Sequence, residues 1–401
     1  MNQFLARQPI FDRNMNVYGY ELLYRSDGEH NSAGALTDPD RATSELMVTG
    51  FHNIGVEKLT GGKRAFVNFT ENLLREKVAT LFSNRYLVVE ILETVRESPK
   101  IIEACQQLKH DGYLLALDDF VYAEENRRLL GLADIVKVDW LLPDVEENAR
   151  RARNGNARLL AEKVETEEAF ERARALGFSL FQGYFFSKPT ILAQKKVDPM
   201  AAHYLQLVRL VNQEEVDFIS LSKLIRRDVV LSYRLLRLVN SVYFGMQYQV
   251  SDIQNALAIL GLAEIRKWIC MLAMMGICAG KTDELVRVSM IRGRVMELYG
   301  CKYLGMKDAG HLFMTGLFSL IDVLLDLPMA DALSQTSIAD EVSAVLLGAP
   351  GPAVDMLRLL EAHERAAWSE AEKQAVVLGL SEEVFSKLYV DAVVWSSSFS
   401  M

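Results

Sequence analysis

Seven segments in the first half of the chain carry an acidic or polar side chain at or near the end of a short apolar run. They are Glu21 in Gly-Tyr-Glu-Leu-Leu, Asn68 in Phe-Val-Asn-Phe, Glu90 in Leu-Val-Val-Glu-Ile-Leu-Glu, and Asp118 and Asp119 in Leu-Ala-Leu-Asp-Asp-Phe. Lys137 and Asp139 follow in Ile-Val-Lys-Val-Asp, then Glu162 in Leu-Leu-Ala-Glu and Gln182 in Phe-Gln-Gly-Tyr. Carboxylates and amide oxygens are hard ligands that suit Mg2+ or Mn2+ rather than zinc. A barrel of parallel strands would bring such strand-end groups to one rim, where they could hold divalent ions against a phosphate ester. Any one of them alone reads more plainly as a solvated loop charge or a helix N-cap. The chemistry therefore depends on the elements that gather them.

Those elements alternate. Residues 4–10 and 17–24 read as two strands joined by Asp12-Arg13-Asn14, a turn-rich link. Strand-like runs recur at 65–69, 86–92, 113–117, 135–138, 157–161 and 178–181, with helical stretches such as 98–110 and 166–176 between them. In 98–110, Ile101, Ile102, Cys105 and Leu108 recur at helical spacing. Strands alternating with helices imply a parallel sheet, and the repeated units suit a (β/α) barrel of roughly eight strands. No Gly-x-Gly-x-x-Gly follows a strand, which argues against a dinucleotide cofactor. After Ser187-Lys188-Pro189 the pattern turns helical, with helices expected at 220–227, 230–239, 252–260, 263–276, 282–298, 311–325, 339–347, 351–361 and 369–378. The expected division is an α/β barrel over 1–195 and an all-helical domain over 196–401.

Composition narrows the class. The chain of 401 residues is 50% hydrophobic and carries a net charge of −9, which argues against a binder of nucleic-acid polymers. Its four cysteines form no Cys-x-x-Cys pair and read as free thiols of a reducing cytosol. The opening Met1-Asn2-Gln3-Phe4-Leu5-Ala6-Arg7 lacks the apolar core of a signal peptide. The longest apolar stretch, 268–279, falls short of the roughly 20 residues that span a bilayer. A cytoplasmic location, away from any membrane, is expected.

The ordered motifs resemble the EAL family of cyclic di-GMP phosphodiesterases. Arg7-Gln8-Pro9-Ile10-Phe11-Asp12 with Gly19-Tyr20-Glu21-Leu22-Leu23-Tyr24-Arg25 is similar to the start of EAL–HDOD two-domain proteins. Glu90-Ile91-Leu92-Glu93-Thr94, Leu117-Asp118-Asp119-Phe120, Lys137-Val138-Asp139, Ala161-Glu162-Lys163-Val164-Glu165-Thr166 and Gln182-Gly183-Tyr184-Phe185-Phe186-Ser187-Lys188-Pro189 continue the match in order. The resemblance implies a two-metal site for Mg2+ or Mn2+. Glu21, Asn68, Glu90 and Asp118 would hold one ion, and Asp118, Asp119 and Glu162 the other. It implies catalytic roles for Lys137, Glu162 and Glu93, the last supporting the metal-site loop. It also implies ligand contacts from Arg25, Asp139, Glu165 and Gln182. The reaction would open cyclic di-GMP to linear pGpG. Two departures stand out: Val121-Tyr122-Ala123-Glu124-Glu125-Asn126 has no glycine where the family loop has Gly-Thr-Gly, and Lys163 replaces a glycine. Neither removes a ligand. The loop is expected to take another course, and Lys163 to pair with Glu162 or crowd the metal position.

The second half resembles the HDOD domain, a helical relative of HD phosphohydrolases. Ile225-Arg226-Arg227-Asp228, Leu238-Val239-Asn240-Ser241-Val242-Tyr243-Phe244-Gly245 and Val250-Ser251-Asp252-Ile253 carry the likeness. His203, His311 and His363 are none of them followed by Asp, and Ser319-Leu320 stands where a His-Asp pair would fall, so no metal site is expected there. That domain reads as a regulatory or interaction module for an unknown protein partner. Two functions stay open: a metal-dependent phosphodiesterase, and a catalytically silent adaptor in motility or biofilm signalling. A homodimer is compatible with either.

Overall fold

A computed structural model describes residues 3–26, 55–153, 157–187, 199–213, 215–240, 250–278 and 281–399. They form an eight-stranded barrel and a set of helices. The strands are β1 Gln3–Asp12, β2 Val17–Ser26, β3 Arg64–Phe69, β4 Leu87–Ile91, β5 Leu114–Leu117, β6 Ile135–Asp139, β7 Arg158–Glu162 and β8 Leu180–Gln182. They close in sequence order, β8 pairing back onto β1.

The sheet is parallel except at its first strand, as the turn-rich link between the first two strands implies. β1 runs antiparallel to both β2 and β8, while β2 to β8 are mutually parallel. The cause is local, since four residues cannot make the crossover that a parallel pair needs. The Asp12 carboxylate accepts from the backbone N–H of Asn14 and of Asn16, at 2.8 and 2.9 Å, and Met15 adopts φ 63°. The chain therefore reverses at once into β2. The longer links carry helices packed on the outside. Pro99–His110 is started by Ser98, whose side chain accepts from Ile101 N, and it buries Ile101, Ile102, Ala104, Cys105 and Leu108.

The molecule divides into two compact units. One gathers Met1–Lys188 and Arg358–Ser400, the other Pro189–Leu357. This differs from a single cut at 195/196, because the chain returns to the barrel unit. The helix Glu382–Ser397, which the sequence reading did not anticipate, packs on β1 and on the short helix Val56–Thr60. Leu5, Leu22 and Leu59 face Tyr389, Val390 and Val393 there. Helical periodicity reveals an apolar face but not which surface receives it.

In the second unit the helix Ile253–Ile277 breaks its regular geometry at Gly261 (φ 74°), where two helices were expected. The helices Asp283–Tyr303 and Gly310–Phe318 approach closely, and a Cβ on Gly316 would lie 2.3 Å from Gly293 N. Ser319 accepts from Arg292 and donates to the Gly316 carbonyl, a bracing role in the position of the missing His-Asp pair. Motif residues 241–245 lie outside the described residues. No helix among the described residues is long and apolar enough to cross a membrane.

Candidate functional site

Side chains two apart on a strand share a face. The barrel uses this repeatedly. Phe66, Val88, Ala116, Ile135, Leu160 and Leu180 pack with Ile10 as one buried apolar layer. Two positions further along each parallel strand stand Asn68, Glu90, Asp118, Lys137, Glu162 and Gln182. A polar layer thus rests on an apolar one at the C-terminal ends of the strands. β2 contributes Glu21, two residues after Gly19, where a Cβ would lie 2.8 Å from the Phe66 ring. On β1, which runs the other way, the polar partner precedes the apolar one, and Gln8 comes before Ile10.

Lys137 stands at the centre, fully buried. Its Nζ lies 2.6 Å from Asp118 Oδ1, 3.0 Å from Glu90 Oε1, 3.0 Å from Glu162 Oε1 and 3.4 Å from Glu21 Oε2. Gln182 Nε2 donates to Glu21 Oε2 at 2.6 Å and to Gln8 Oε1 at 3.0 Å. Asn68 is level with Glu90 across β3 and β4, and so shares its face. Burial pushes Glu90 well above the usual carboxylate range, against the opposing pull of Lys137. Burial likewise raises Glu162, to about 7. For Lys137 burial acts to lower the pKa, but the charges of Glu162, Glu21, Glu90 and Asp118 outweigh it and raise it well above normal.

The remaining expected residues lie further out. Asp119 is exposed, with φ 40°, and lines with Glu93, Asp118 and Val121 a cavity of about 310 Å³. Glu165 is exposed. Arg25 belongs to β2, level with Phe4, and its side chain lies outside the described residues. Asp139, level with Glu162, meets Lys163, whose Nζ lies 2.5 Å from Asp139 Oδ2. The lysine pairs across strands with Asp139, where Glu162 was one of the expected partners.

The glycine-free loop is held by side-chain amides. Asn148 donates to Phe120 O at 2.6 Å and accepts from Tyr122 N at 2.9 Å, while Asn126 accepts from Ala123 N and donates to Val121 O. A short 3-10 turn, Glu124–Asn126, completes it, and no residue of 121–126 has positive φ.

A hard divalent cation suits this donor set. Four carboxylates face one ammonium, and both oxygens of Glu90 and Oε2 of Glu162 are buried with no hydrogen-bond donor among the described residues. Among the described residues, however, no three acidic, His or Cys side chains are gathered as a metal cluster; the carboxylates converge on Lys137 instead.

An eight-stranded barrel with this polar rim, followed by a helical unit, defines the class. The chain belongs to the EAL–HDOD family. The HDOD domain model matches residues 198–336. Cyclic di-GMP phosphodiesterase CdgJ of Vibrio cholerae serotype O1 is 36% identical over 402 residues, covering 99% of this chain and 93% of that protein. Uncharacterized protein YuxH of Bacillus subtilis is 37% identical over 409 residues, covering 98% of each. Among solved structures, a calcium and cyclic di-GMP complex of BlrP1 from Klebsiella pneumoniae aligns with 47% of this chain and 56% of its own, at 22% identity and a TM-score of 0.36.

Gln8 belongs to this rim although its motif, Arg7-Gln8-Pro9, carries no sign of it. The missing signal was strand direction. Glu364, far along the chain, likewise gives no sequence signal, yet its carboxylate accepts from the Tyr184 hydroxyl at 3.2 Å beside the end of β8.

Proposed function

We propose that the chain hydrolyses one phosphodiester of cyclic di-GMP to give linear pGpG, with Mg2+ or Mn2+. The observation that carries this is the convergence of Glu21, Glu90, Asp118 and Glu162 on buried Lys137 at the C-terminal rim. Its support is the chain's 36% identity, nearly end to end, to a protein named for that activity. Glu21, Asn68, Glu90 and Asp118 would hold one ion, and Asp118, Asp119 and Glu162 the second. When bound, the ions would supply an activated water and offset charge developing on phosphorus. Lys137 holds the carboxylates together and brings a fixed cation towards the phosphate. Gln182 orients Glu21. Glu93 supports the 118–121 segment from across the cavity they share. Arg25, Asp139, Glu165 and Gln182 contact the ligand. The HDOD unit acts as a regulatory or interaction module for a protein partner in the cytoplasm, and the chain is compatible with a homodimer.

The test is hydrolysis of cyclic di-GMP in Mn2+ or Mg2+ by wild type, Glu21→Ala and Asp118→Asn. Turnover by wild type and its loss by at least about 100-fold in both variants is expected. No turnover by wild type, with measurable binding, overturns the enzyme reading; equal turnover by the variants overturns the site. A silent adaptor is the second reading. The observation favouring it is Lys137 itself, which engages all four carboxylates where metal ions would compete.

A further inference from the structure

Lys163 stands where the family resemblance has glycine, and its backbone keeps a glycine-like conformation, φ 55°. Lysine adopts that conformation only under strain, whereas glycine does not. A strained lysine at a site rim calls for a reason. Its ammonium meets Asp139 Oδ2 at 2.5 Å, and Asp139 Oδ1 accepts from Leu141 N at 2.8 Å. Both oxygens of Asp139 are therefore engaged. The Lys163 side chain is 52% exposed and that of Asp139 17% exposed. Asp119 and Glu162 also lie close enough to act on the Lys163 charge.

The two lysines of the site thus differ in kind. Lys137 is fully buried among four carboxylates and cannot turn outward. Lys163 is half solvated and held by a single exposed ion pair, an interaction of little net strength that exchanges readily. A phosphodiester entering this acidic rim needs a cation that can reach it, and a lysine ammonium is a mobile point charge suited to phosphate.

We infer that Lys163 contacts the phosphodiester of the ligand that is not being cleaved, and that its pair with Asp139 is the resting position of this contact. The inference rests on the cyclic di-GMP reading above. On binding, the ammonium leaves Asp139 for the phosphate. Asp139 Oδ2 is then open to an N–H donor of the ligand. One exchange thereby satisfies an acceptor and a donor that the free protein had paired with each other.

The test is equilibrium binding of cyclic di-GMP in Ca2+, with the ligand checked intact after each titration, for wild type and three variants. Lys163→Met keeps the backbone and removes the charge; it should weaken binding roughly tenfold, the loss expected for one charge-assisted hydrogen bond. Lys163→Arg should stay within about threefold of wild type. Lys163→Gly should weaken binding as Met does while melting at a higher temperature than wild type, which separates the lost charge from the relieved backbone. Binding by Lys163→Met equal to or tighter than wild type overturns this inference alone, since the lysine would then merely mask Asp139. Wild type that binds no cyclic di-GMP overturns both this inference and the function on which it rests.

Discussion

Lys137 has three N–H donors and four carboxylates within 3.4 Å. Asp118 and Glu21 accept hydrogen bonds from it, Glu21 accepts a second from Gln182, and the shortage falls on Glu90, neither of whose buried oxygens accepts one. Removing the cation would strand several buried negative charges. Lys137→Met should therefore lower stability by about 3–5 kcal/mol, the usual cost of breaking a buried ion pair from one side. Mn2+ should recover part of the loss. Urea midpoints with and without the ion measure both effects, and a Met variant as stable as wild type would show that the carboxylates are protonated around it. Most of this residue-level picture was legible. A polar residue two places beyond an apolar one reads directly as an inward-facing pair on a strand. Gln8 escaped because on a reversed strand the order inverts. The Lys163–Asp139 pair escaped because it joins adjacent strands whose residues lie far apart in the chain, and register is not written in spacing.

At the scale of elements, the β7–β8 junction sets the position of Gln182. Val164 N donates to the Gln182 carbonyl at 3.0 Å, and Phe185 N donates back to the Val164 carbonyl at 3.3 Å. Gly183 lies between them with φ 147°, and a Cβ there would stand 2.0 Å from Val164 O. Gly183→Ala must push the two segments apart. A loss of about 2–4 kcal/mol in chemical denaturation is expected, with reduced turnover as Gln182 shifts. Unchanged stability would mean that the segment after β8 relaxes freely. The strands were legible from their apolar runs, and the hairpin from the few residues between β1 and β2. The course of 121–126 was not. Its missing glycines were visible, but the amide that replaces them, Asn148, comes from the helix Val145–Ala152 further along the chain.

For the molecule as a whole, the barrel unit is discontinuous: residues 358–400 join it after the helices of the second unit. A fragment of 1–195 would leave Leu5, Leu22 and Leu59 without Tyr389, Val390 and Val393. Such a fragment should express with low solubility and melt without cooperativity. Grafting 358–400 back through a flexible linker in place of 196–357 should restore a cooperative transition. Circular dichroism and soluble yield decide, and a fragment as stable as the full chain would overturn this partition. No sequence pattern announced it, because Ser381-Glu382-Glu383 marks the start of a helix without naming its destination.

That return of the chain also sets an order in time. A ribosome releases β1 well before the helix Glu382–Ser397. At roughly 5–20 residues per second, the interval runs to tens of seconds. Throughout it the outer face of the first hairpin waits uncovered, and the helical unit is already made. A chain cut short by an early stop or a protease would therefore yield the helical unit beside an unfinished barrel. In this molecule the rim of carboxylates is made early, and the support for its first hairpin follows only after the helical unit.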